Sequence, residues 1–191
     1  MKKDIKNYIK ESIYTKEEIL NSDLILDSIE DISKLIIDGY KNNKKVLVAG
    51  NGGSAADAQH IVAELVSKFT KDRKALNAIA LTTNTSILTA ISNDYGYDEV
   101  FARQIEAYAN EGDIYIAIST SGNSKNIIKS LEKANSMGLI TIGFTGNNLS
   151  EMDKLCKFLI KVPSFNTPII QESHIMLGHI IAKLVEDKLL N

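Results

Sequence analysis

Two patterns of apolar and polar residues follow one another along this chain. In the first 42 residues the apolar positions recur with helical spacing, most regularly at 25, 26, 29, 32, 35 and 36. Beyond residue 42, short uninterrupted apolar runs alternate with amphipathic stretches, and such runs are typical of strands that are buried on both faces. We therefore predict helices within 1–42 and strands at 46–49, 78–81, 114–118, 139–144 and 158–162.

The alternation of buried strands and helices predicts a single α/β domain built on a doubly wound parallel sheet. We expect residues 1–42 to form helices for packing or oligomerisation, with a capping box at 15–18 and a stop at Gly39. Residues 43–191 form the predicted α/β core, which ends in a long helix starting near Ile169. In such sheets ligands bind beyond the carboxyl ends of the strands.

Composition narrows the class of protein without identifying a function. Apolar residues make up 44% of the 191 positions and charged residues 24%, which is ordinary for a globular domain. The net charge of −2 gives no reason to expect a nucleic-acid or membrane partner. No apolar run approaches the roughly 20 residues of a membrane span, and the lysine-rich start does not have the apolar core of a signal peptide. The single cysteine, Cys156, fits a packed thiol in a reducing compartment, so we expect a cytoplasmic enzyme or binding domain.

The turn after the first strand, Gly50-Asn51-Gly52-Gly53, is the clearest candidate binding element. Glycine permits positive φ angles and a close approach of a ligand to the backbone. An alanine-rich helix follows, with Ser54 near its start, so that free N–H groups and the positive end of the helix dipole face an anion. His60 and Glu64 lie four residues apart on one face of this helix. The stretch thus predicts a phosphate cradle close to a histidine–carboxylate pair.

A second polar turn, Ser119-Thr120-Ser121-Gly122-Asn123-Ser124, follows the third predicted strand. Its hydroxyls, its glycine and the helix after it form a second anion-binding pattern. A serine-rich capping loop is the structural alternative, but the hydroxyls exceed the needs of one helix N-terminus. We favour phosphate binding through hydroxyl and backbone N–H groups, because neither turn contains lysine or arginine.

Other residues have both a functional and a structural interpretation. Asn93 and Asp94 could hold a sugar hydroxyl, although Asn-Asp before glycine is commonly only a turn. Asp57, one helical turn before the histidine of the pair, is a candidate for orienting that imidazole. His174, near the start of the last helix, fits the core or the surroundings of a site, and we leave it outside the site.

The two turns and their order resemble those of the sugar isomerase (SIS) domain. Within that superfamily the chain resembles the phosphoheptose isomerases across nearly its whole length. The resemblance is carried, in family order, by Asn51-Gly52-Gly53-Ser54, His60 with Glu64, Asn93-Asp94, the serine-rich turn, and Gln171 with His179. It implies a parallel five-stranded sheet flanked by helices and assembled as a homotetramer, with sites near the subunit contacts.

The resemblance also implies a role for each matching residue. Substrate would be contacted by Asn51, Gly52, Gly53, Glu64, Asn93, Asp94, Ser119, Thr120, Ser121, Ser124 and Gln171, with the four hydroxyl residues of the second turn on the phosphate. One zinc ion per subunit would be held by His60, Glu64, Gln171 and His179. Glu64 and His179 would take the acid and base roles. A zinc-bound carboxylate is a poorer base, so it stays open whether the metal polarises the substrate carbonyl or only partly occupies the site.

The implied activity is the isomerisation of sedoheptulose 7-phosphate to D-glycero-D-manno-heptose 7-phosphate, for lipopolysaccharide or capsule heptose. The alternative from a different class is a non-catalytic SIS protein that binds the replication initiator. A third possibility is a sugar-phosphate-sensing module, which would need an appended domain to transmit a signal. The joint presence of the four predicted zinc ligands favours the isomerase, with a small sugar phosphate as its partner.

The spacing of Gln171 and His179 raises a question about assembly. Eight residues on one continuous helix correspond to a rise of roughly 12 Å, whereas zinc–ligand bonds are about 2 Å long. One metal ion therefore reaches both side chains only at full stretch or if the helix begins after Gln171. Otherwise the two come from different subunits, and we predict that the helix with His60 and Glu64 meets the C-terminal helix of a neighbour.

Overall fold

The computed structural model describes residues 1–190, which form a sheet enclosed by helices. In chain order the elements are α1 (Lys2–Leu20), α2 (Asp23–Lys41), β1 (Val46–Gly50), α3 (Gly53–Val66), β2 (Ala78–Ala80), α4 (Thr85–Asp94), α5 (Ala102–Tyr108), β3 (Ile114–Ile118), α6 (Lys125–Ser136), β4 (Ile140–Thr145), α7 (Met152–Leu155), β5 (Phe158–Lys161) and α8 (Thr167–Leu189). A single 3₁₀ turn, Tyr97–Glu99, separates α4 from α5. The predicted strands are confirmed, with their ends within one residue of the expected positions.

The strands form one parallel sheet in the order β2-β1-β3-β4-β5, which confirms the doubly wound α/β fold. The chain runs from β1 to one edge of the sheet and then returns to build the other side from β3. The strand order therefore reverses between β1 and β3, where Gly50 is in register with Ile118. Ligands of open parallel sheets bind at such a switch point. The two polar turns leave the carboxyl ends of these two neighbouring strands.

Apolar side chains on both faces of the sheet form two cores, as nearly continuous apolar strands require. One core packs the sheet against α2, α3 and α8 and includes Ile32, Ile61 and Ile181. The other packs the opposite face against α5 and α6 and includes Phe101 and Ile127. The helices α3 and α8, which carry all four predicted metal ligands, therefore lie on the same face.

The helices α3 and α8 lie side by side and run in the same direction. Near their starts Gln171 of α8 lies against Gly53 of α3, and further along Gly178 lies against Ile61. A Cβ atom at Gly178 would come within 2.6 Å of Ile61 Cγ1. Only glycine therefore allows the two helices to approach this closely.

Two local predictions for the N-terminal helices are wrong. Residues 15–18 do not form a capping box, because α1 runs through them without a break. Lys16 Nζ of α1 donates to Glu172 Oε1 of α8 at 2.7 Å, so this part of α1 is docked as a continuous helix. Gly39 does not end α2, which continues to Lys41. The glycine instead allows close packing, because a Cβ atom there would lie 2.8 Å from Ile114 Cδ1.

Two expectations about the class of protein can be compared with the structure. Within residues 1–190 no helix has both the length and the apolar character needed to cross a membrane. Cys156 is partly buried, and burial raises the pKa of its thiol to about 12, with a smaller contribution from the Asp153 carboxylate. A thiol with so high a pKa is a poor nucleophile, in agreement with a packing role. The cytoplasmic location stays a prediction.

Candidate active site

The turn after β1 is tight and depends on its glycines. A Cβ atom at Gly50 would lie 2.4 Å from the backbone oxygen of Ser54, so a larger residue would displace the start of α3. Gly52, the N-cap of α3, has a φ of 56°, which favours glycine. The N–H of Ser54 donates to the carbonyl oxygen of Asn51 at 3.0 Å. The positive end of the α3 dipole therefore points out of a backbone turn with no side chain at three of its four positions.

The turn after β3 gathers its hydroxyls into one cluster. Ser119 Oγ lies 3.1 Å from Ser124 Oγ and 3.4 Å from Ser121 Oγ. Ser124 is the N-cap residue of α6, yet its side chain makes no capping hydrogen bond. Because the hydroxyl faces the other hydroxyls instead of its own helix, the geometry favours the anion-binding interpretation over the capping loop.

An amide pair joins the turn after β1 to the start of α6, directly after the serine-rich turn. Asn51 Nδ2 donates to Asn126 Oδ1 at 2.8 Å, and Asn126 Nδ2 donates back to Asn51 Oδ1 at 2.9 Å. The Tyr97 hydroxyl donates to the same Asn51 oxygen at 3.1 Å. Sequence reasoning missed Asn126 and Tyr97. The only sequence signal for Asn126 was its position two residues after the serine-rich turn, and no local pattern marked Tyr97.

Asn93 and Asp94 do not lie in the turn that the sequence predicted. They occupy the last turn of α4, and the chain turns at Gly96, whose φ is 92°. The helix extends further than expected because the Tyr95 N–H still donates to the Ile91 carbonyl oxygen. Both residues are exposed, and Asn93 Nδ2 donates to Asp94 Oδ1 at 2.8 Å. Their contact with substrate stays a prediction.

His60, Glu64 and His179 come together between α3 and α8 within one chain. His60 Nε2 lies 3.1 Å from Glu64 Oε1 and 3.3 Å from His179 Nε2. One nitrogen or oxygen from each residue lies within 4.8 Å of the other two. The His60 side chain is 49% exposed and the Glu64 side chain 21%, so the cluster opens to the surface of the chain.

This cluster fits the requirements of a zinc ion. Imidazole nitrogen and carboxylate oxygen bind zinc at about 2.0–2.2 Å in a tetrahedral arrangement, which places neighbouring ligand atoms about 3.3 Å apart. The two imidazole nitrogens face each other at this separation. Two histidines and one glutamate with an open fourth position form a ligand set that is typical of catalytic zinc.

Gln171, the fourth predicted ligand, lies on the same continuous helix as His179. A Cβ atom at Gly53 would lie 2.5 Å from Gln171 Nε2, so the amide packs against the turn after β1. Along α8 the separation from His179 corresponds to a rise of about 12 Å. The structure therefore brings together three predicted ligands in one chain, and ligation by Gln171 stays a prediction.

We predicted that His179 would join His60 and Glu64 of a neighbouring subunit, and this prediction is wrong. His60 and His179 are 119 positions apart in sequence and meet within one chain. The physical reason is the close approach of α3 and α8, which the absence of a side chain at Gly178 permits.

Asp57 and His174 lie near the site. Asp57 Oδ2 is buried without a hydrogen-bond partner among residues 1–190, so this oxygen does not make the bond predicted to orient His60. Burial raises the pKa of the Asp57 carboxyl to about 6, against an opposing effect of His60. His174 is fully buried, and its Nε2 donates to the Thr145 carbonyl oxygen at 3.3 Å. His174 is thus a core residue.

These observations define the class of protein. A doubly wound parallel sheet carries a glycine-rich turn and a serine-rich turn on the two strands at its switch point. The family model described as SIS domain matches residues 7–146 of the chain.

Comparison with known proteins narrows the class further. The chain is 54% identical over 189 residues to a phosphoheptose isomerase of Clostridium acetobutylicum, covering 99% of this chain and 96% of that protein. It is 56% identical over 183 residues to that of Aneurinibacillus thermoaerophilus, covering 96% and 92%. The solved structure of a phosphoheptose isomerase from Francisella tularensis superposes with a TM-score of 0.93 at 34% identity, covering 97% of each chain. The chain therefore belongs to the phosphoheptose isomerase family of SIS-domain proteins.

Proposed function

We propose that this protein catalyses the aldose–ketose isomerisation of sedoheptulose 7-phosphate to D-glycero-D-manno-heptose 7-phosphate. The observation that carries the proposal is the His60–Glu64–His179 cluster, in a chain that is similar over nearly its whole length to curated phosphoheptose isomerases. An isomerase needs groups that move a proton, and this cluster supplies them.

The two polar turns supply the binding half of the proposed site. We assign the phosphate to Ser119, Thr120, Ser121 and Ser124, and the sugar to Asn51, Gly52, Gly53, Asn93, Asp94 and Gln171. The hydroxyl distances in the second turn support this assignment. The amide pair between the two turns supports it as well, because it holds both turns in one fixed geometry.

The cluster supplies the reacting half. Isomerisation transfers one proton between adjacent carbons through an enediol, so it needs a base at the C–H and an acid at the oxygen. We assign the base role to the Glu64 carboxylate and the acid role to His179. A zinc-bound nitrogen carries no proton, so with zinc on His179 Nε2, which faces His60, the acid proton would be on Nδ1. Bound to His60, Glu64 and His179, a zinc ion would supply a Lewis acid that polarises the substrate carbonyl.

The assembly that we propose is a homotetramer with sites near the subunit contacts. Ile5, Ile9 and Ile13 lie one turn apart on α1 and are each at least half exposed, which supports a helix face covered by another subunit. Since Gln171 lies about 12 Å along α8 from His179, we propose that Gln171 joins the cluster of a neighbouring subunit.

The wider setting of the reaction is part of the same proposal. The product heptose phosphate would supply lipopolysaccharide or capsule heptose in the cytoplasm. No observation on the described residues or in the comparisons favours a non-catalytic partner of the replication initiator.

The deciding experiment is an isomerase assay on sedoheptulose 7-phosphate, with and without a zinc chelator. We expect turnover that the chelator removes and that added zinc restores. Turnover that survives complete zinc removal would contradict the zinc assignment and leave the isomerase assignment standing. A folded protein without turnover in either condition would contradict the isomerase.

Mixed oligomers test the assembly. Glu64→Ala and His179→Ala, refolded together, are expected to stay inactive, because both residues belong to the cluster of one chain. Glu64→Ala refolded with Gln171→Ala is expected to regain activity. Continued inactivity of this second mixture, with both variants folded, would place Gln171 in the site of its own chain.

A further inference from the structure

Glu186 is a buried carboxylate to which the proposed reaction gives no role. It lies on α8, seven residues after His179, and its side chain is 1% exposed. Seven residues are close to two helical turns, so Glu186 and His179 project from the same side of α8. Burial of a charged group is costly unless it is paired and hydrogen-bonded, so its partners show what it does.

The Glu186 carboxylate accepts five hydrogen bonds, all from one segment that follows α3. Its Oε1 accepts from the N–H groups of Thr70 and Lys71 at 2.7 and 2.8 Å, and from the Thr70 hydroxyl at 2.9 Å. Its Oε2 accepts from the Phe69 N–H at 2.7 Å and from Arg73 Nε at 3.1 Å. We call residues 67–73 the anchored segment, because this one carboxylate holds its backbone against α8.

The hydrogen bonds to the Glu186 carboxylate favour its charged form. Burial alone would raise the pKa of Glu186. The backbone N–H groups of Thr70, Lys71 and Phe69, with the Thr70 hydroxyl, outweigh this effect and lower the pKa to about 2. Donors aimed at a charged acceptor make bonds that are stronger than those between neutral groups.

The anchored segment touches two of the three cluster residues. The Phe69 ring lies 5.8 Å from the His179 ring between centroids, at an interplanar angle of 51°. Arg73, whose side chain is 4% exposed, donates to the carbonyl oxygens of Glu64 and Leu65 at 2.7 and 2.8 Å. Glu64 lies in the last turn of α3, where carbonyl oxygens have no partner inside the helix and the helix would otherwise fray.

We propose that Glu186 is a positioning residue for the His60–Glu64–His179 cluster. Through the anchored segment it sets the Phe69 ring against the His179 imidazole and holds Arg73 on the last turn of α3. The proposal rests on the proposed function only in treating the cluster as a zinc site.

Three substitutions separate positioning from simple stabilisation. Glu186→Gln keeps the shape of the side chain but turns one acceptor oxygen into an NH₂ donor that faces N–H groups. Phe69→Leu keeps an apolar side chain and removes the ring from His179. Asp187→Asn is the matched control, because it makes the same acid-to-amide change at the next carboxylate of α8, which pairs with the side chains of Lys71, at 2.7 Å, and Lys183.

The first readout is zinc affinity, measured by competition with a chromophoric chelator at a temperature where all variants are folded. We expect Glu186→Gln and Phe69→Leu to bind zinc about tenfold more weakly, as is typical when residues behind metal ligands are changed. Asp187→Asn is expected to bind like the unchanged protein. In the isomerase assay kcat should fall at limiting zinc while KM for the sugar phosphate stays constant.

The second readout needs neither zinc nor activity. The chain contains three histidines, so their ring C–H signals can be assigned by NMR from single substitutions. The Phe69 ring lies close enough to shift the ring C–H signals of His179 through its ring current. We expect this shift to disappear in Phe69→Leu, to become smaller in Glu186→Gln, and to persist in Asp187→Asn.

Failure of this proposal is distinguishable from failure of the proposed function. If Glu186→Gln lowers only the melting temperature, with zinc affinity and the His179 signal unchanged, Glu186 is structural and the positioning role is refuted. If the unchanged protein has no isomerase activity but the zinc affinities follow the expected pattern, the positioning role is supported and the isomerase is refuted.

Discussion

The hydroxyl turn after β3 and the histidine–carboxylate cluster differ in how the chain builds them. The turn is six consecutive residues, and its hydroxyls meet because one tight turn brings them together. The cluster takes His60 and Glu64 from α3 and His179 from α8, 119 positions after His60. The turn therefore depends on local backbone geometry, whereas the cluster depends on how two helices pack.

This difference has consequences for function. In the turn, as we propose, several hydroxyls share one anion, so the loss of one leaves the others in place. In the cluster, as we propose, each residue fills a separate position around a metal or a reacting atom, and no neighbour replaces it. Substitutions in the turn should weaken binding, while substitutions in the cluster should remove turnover or the metal.

The largest expected effect is that of Glu64→Gln. We expect kcat to fall by about 10²–10⁴-fold, the usual contribution of a general acid or base, with KM little changed because the phosphate turn is intact. Steady-state kinetics on sedoheptulose 7-phosphate measure both constants, and circular dichroism and gel filtration check the folded oligomer. Activity within a fewfold of the unchanged protein would remove Glu64 from the mechanism.

A smaller effect is expected from Ser121→Ala with Ser124→Ala. Each hydrogen bond to a charged group contributes about 1.5–3 kcal/mol, so we expect KM to rise by tenfold or more with kcat nearly unchanged. Ser136→Ala is the matched control, since that exposed serine at the end of α6 bonds only to the Lys133 carbonyl oxygen in the structure. A fall in kcat with unchanged KM would show that the turn does not serve to capture phosphate.

Gly178→Ala tests the packing on which the cluster depends. The added Cβ would lie 2.6 Å from Ile61 Cγ1, and overpacking of this kind costs about 1–3 kcal/mol of stability. We expect weaker zinc binding, since His179 is displaced from His60, with no change in phosphate affinity. Adding Ile61→Ala should restore part of the zinc affinity. Normal zinc binding in Gly178→Ala alone would show that the helix approach does not set the cluster.

The smallest effect concerns His174, the histidine outside the cluster. Burial lowers its pKa to about 4, although the bond to the Thr145 carbonyl oxygen opposes this shift. Between pH 4 and about 6.5 the unfolded chain binds a proton at this residue that the folded chain does not, so stability falls as the pH falls through this range.

We expect the slope of this dependence to be at most about 1.4 kcal/mol per pH unit. His174→Gln keeps a donor for Thr145 and should remove this contribution, which denaturant unfolding at pH 5 and pH 6 measures. If the free energy of unfolding changes with pH as steeply in the variant as in the unchanged protein, groups other than His174 cause the pH dependence.

The sequence by itself determined the sheet and the position of the two polar turns. Short uninterrupted apolar runs are typical of strands buried on both faces, so their alternation with helices indicated a parallel sheet before its order was known. Two such runs are followed by glycine, which permits unusual backbone angles, or by serine, which is favoured at helix N-termini. Both preferences depend only on residues nearby in sequence, so the two turns could be located without the structure. For the same reason the pair of His60 and Glu64 on one helix face was readable from spacing alone.

The tertiary structure decided which residues complete the site. Glu186, Phe69 and Tyr97 carry no local pattern, because each acts on residues far away in sequence. The sequence suggested that His179 would meet α3 of another subunit, whereas the two helices meet within one chain. That outcome depends on the missing side chain at Gly178 and on the bonds of one buried carboxylate, and such contacts exist only after the helices have packed on the sheet.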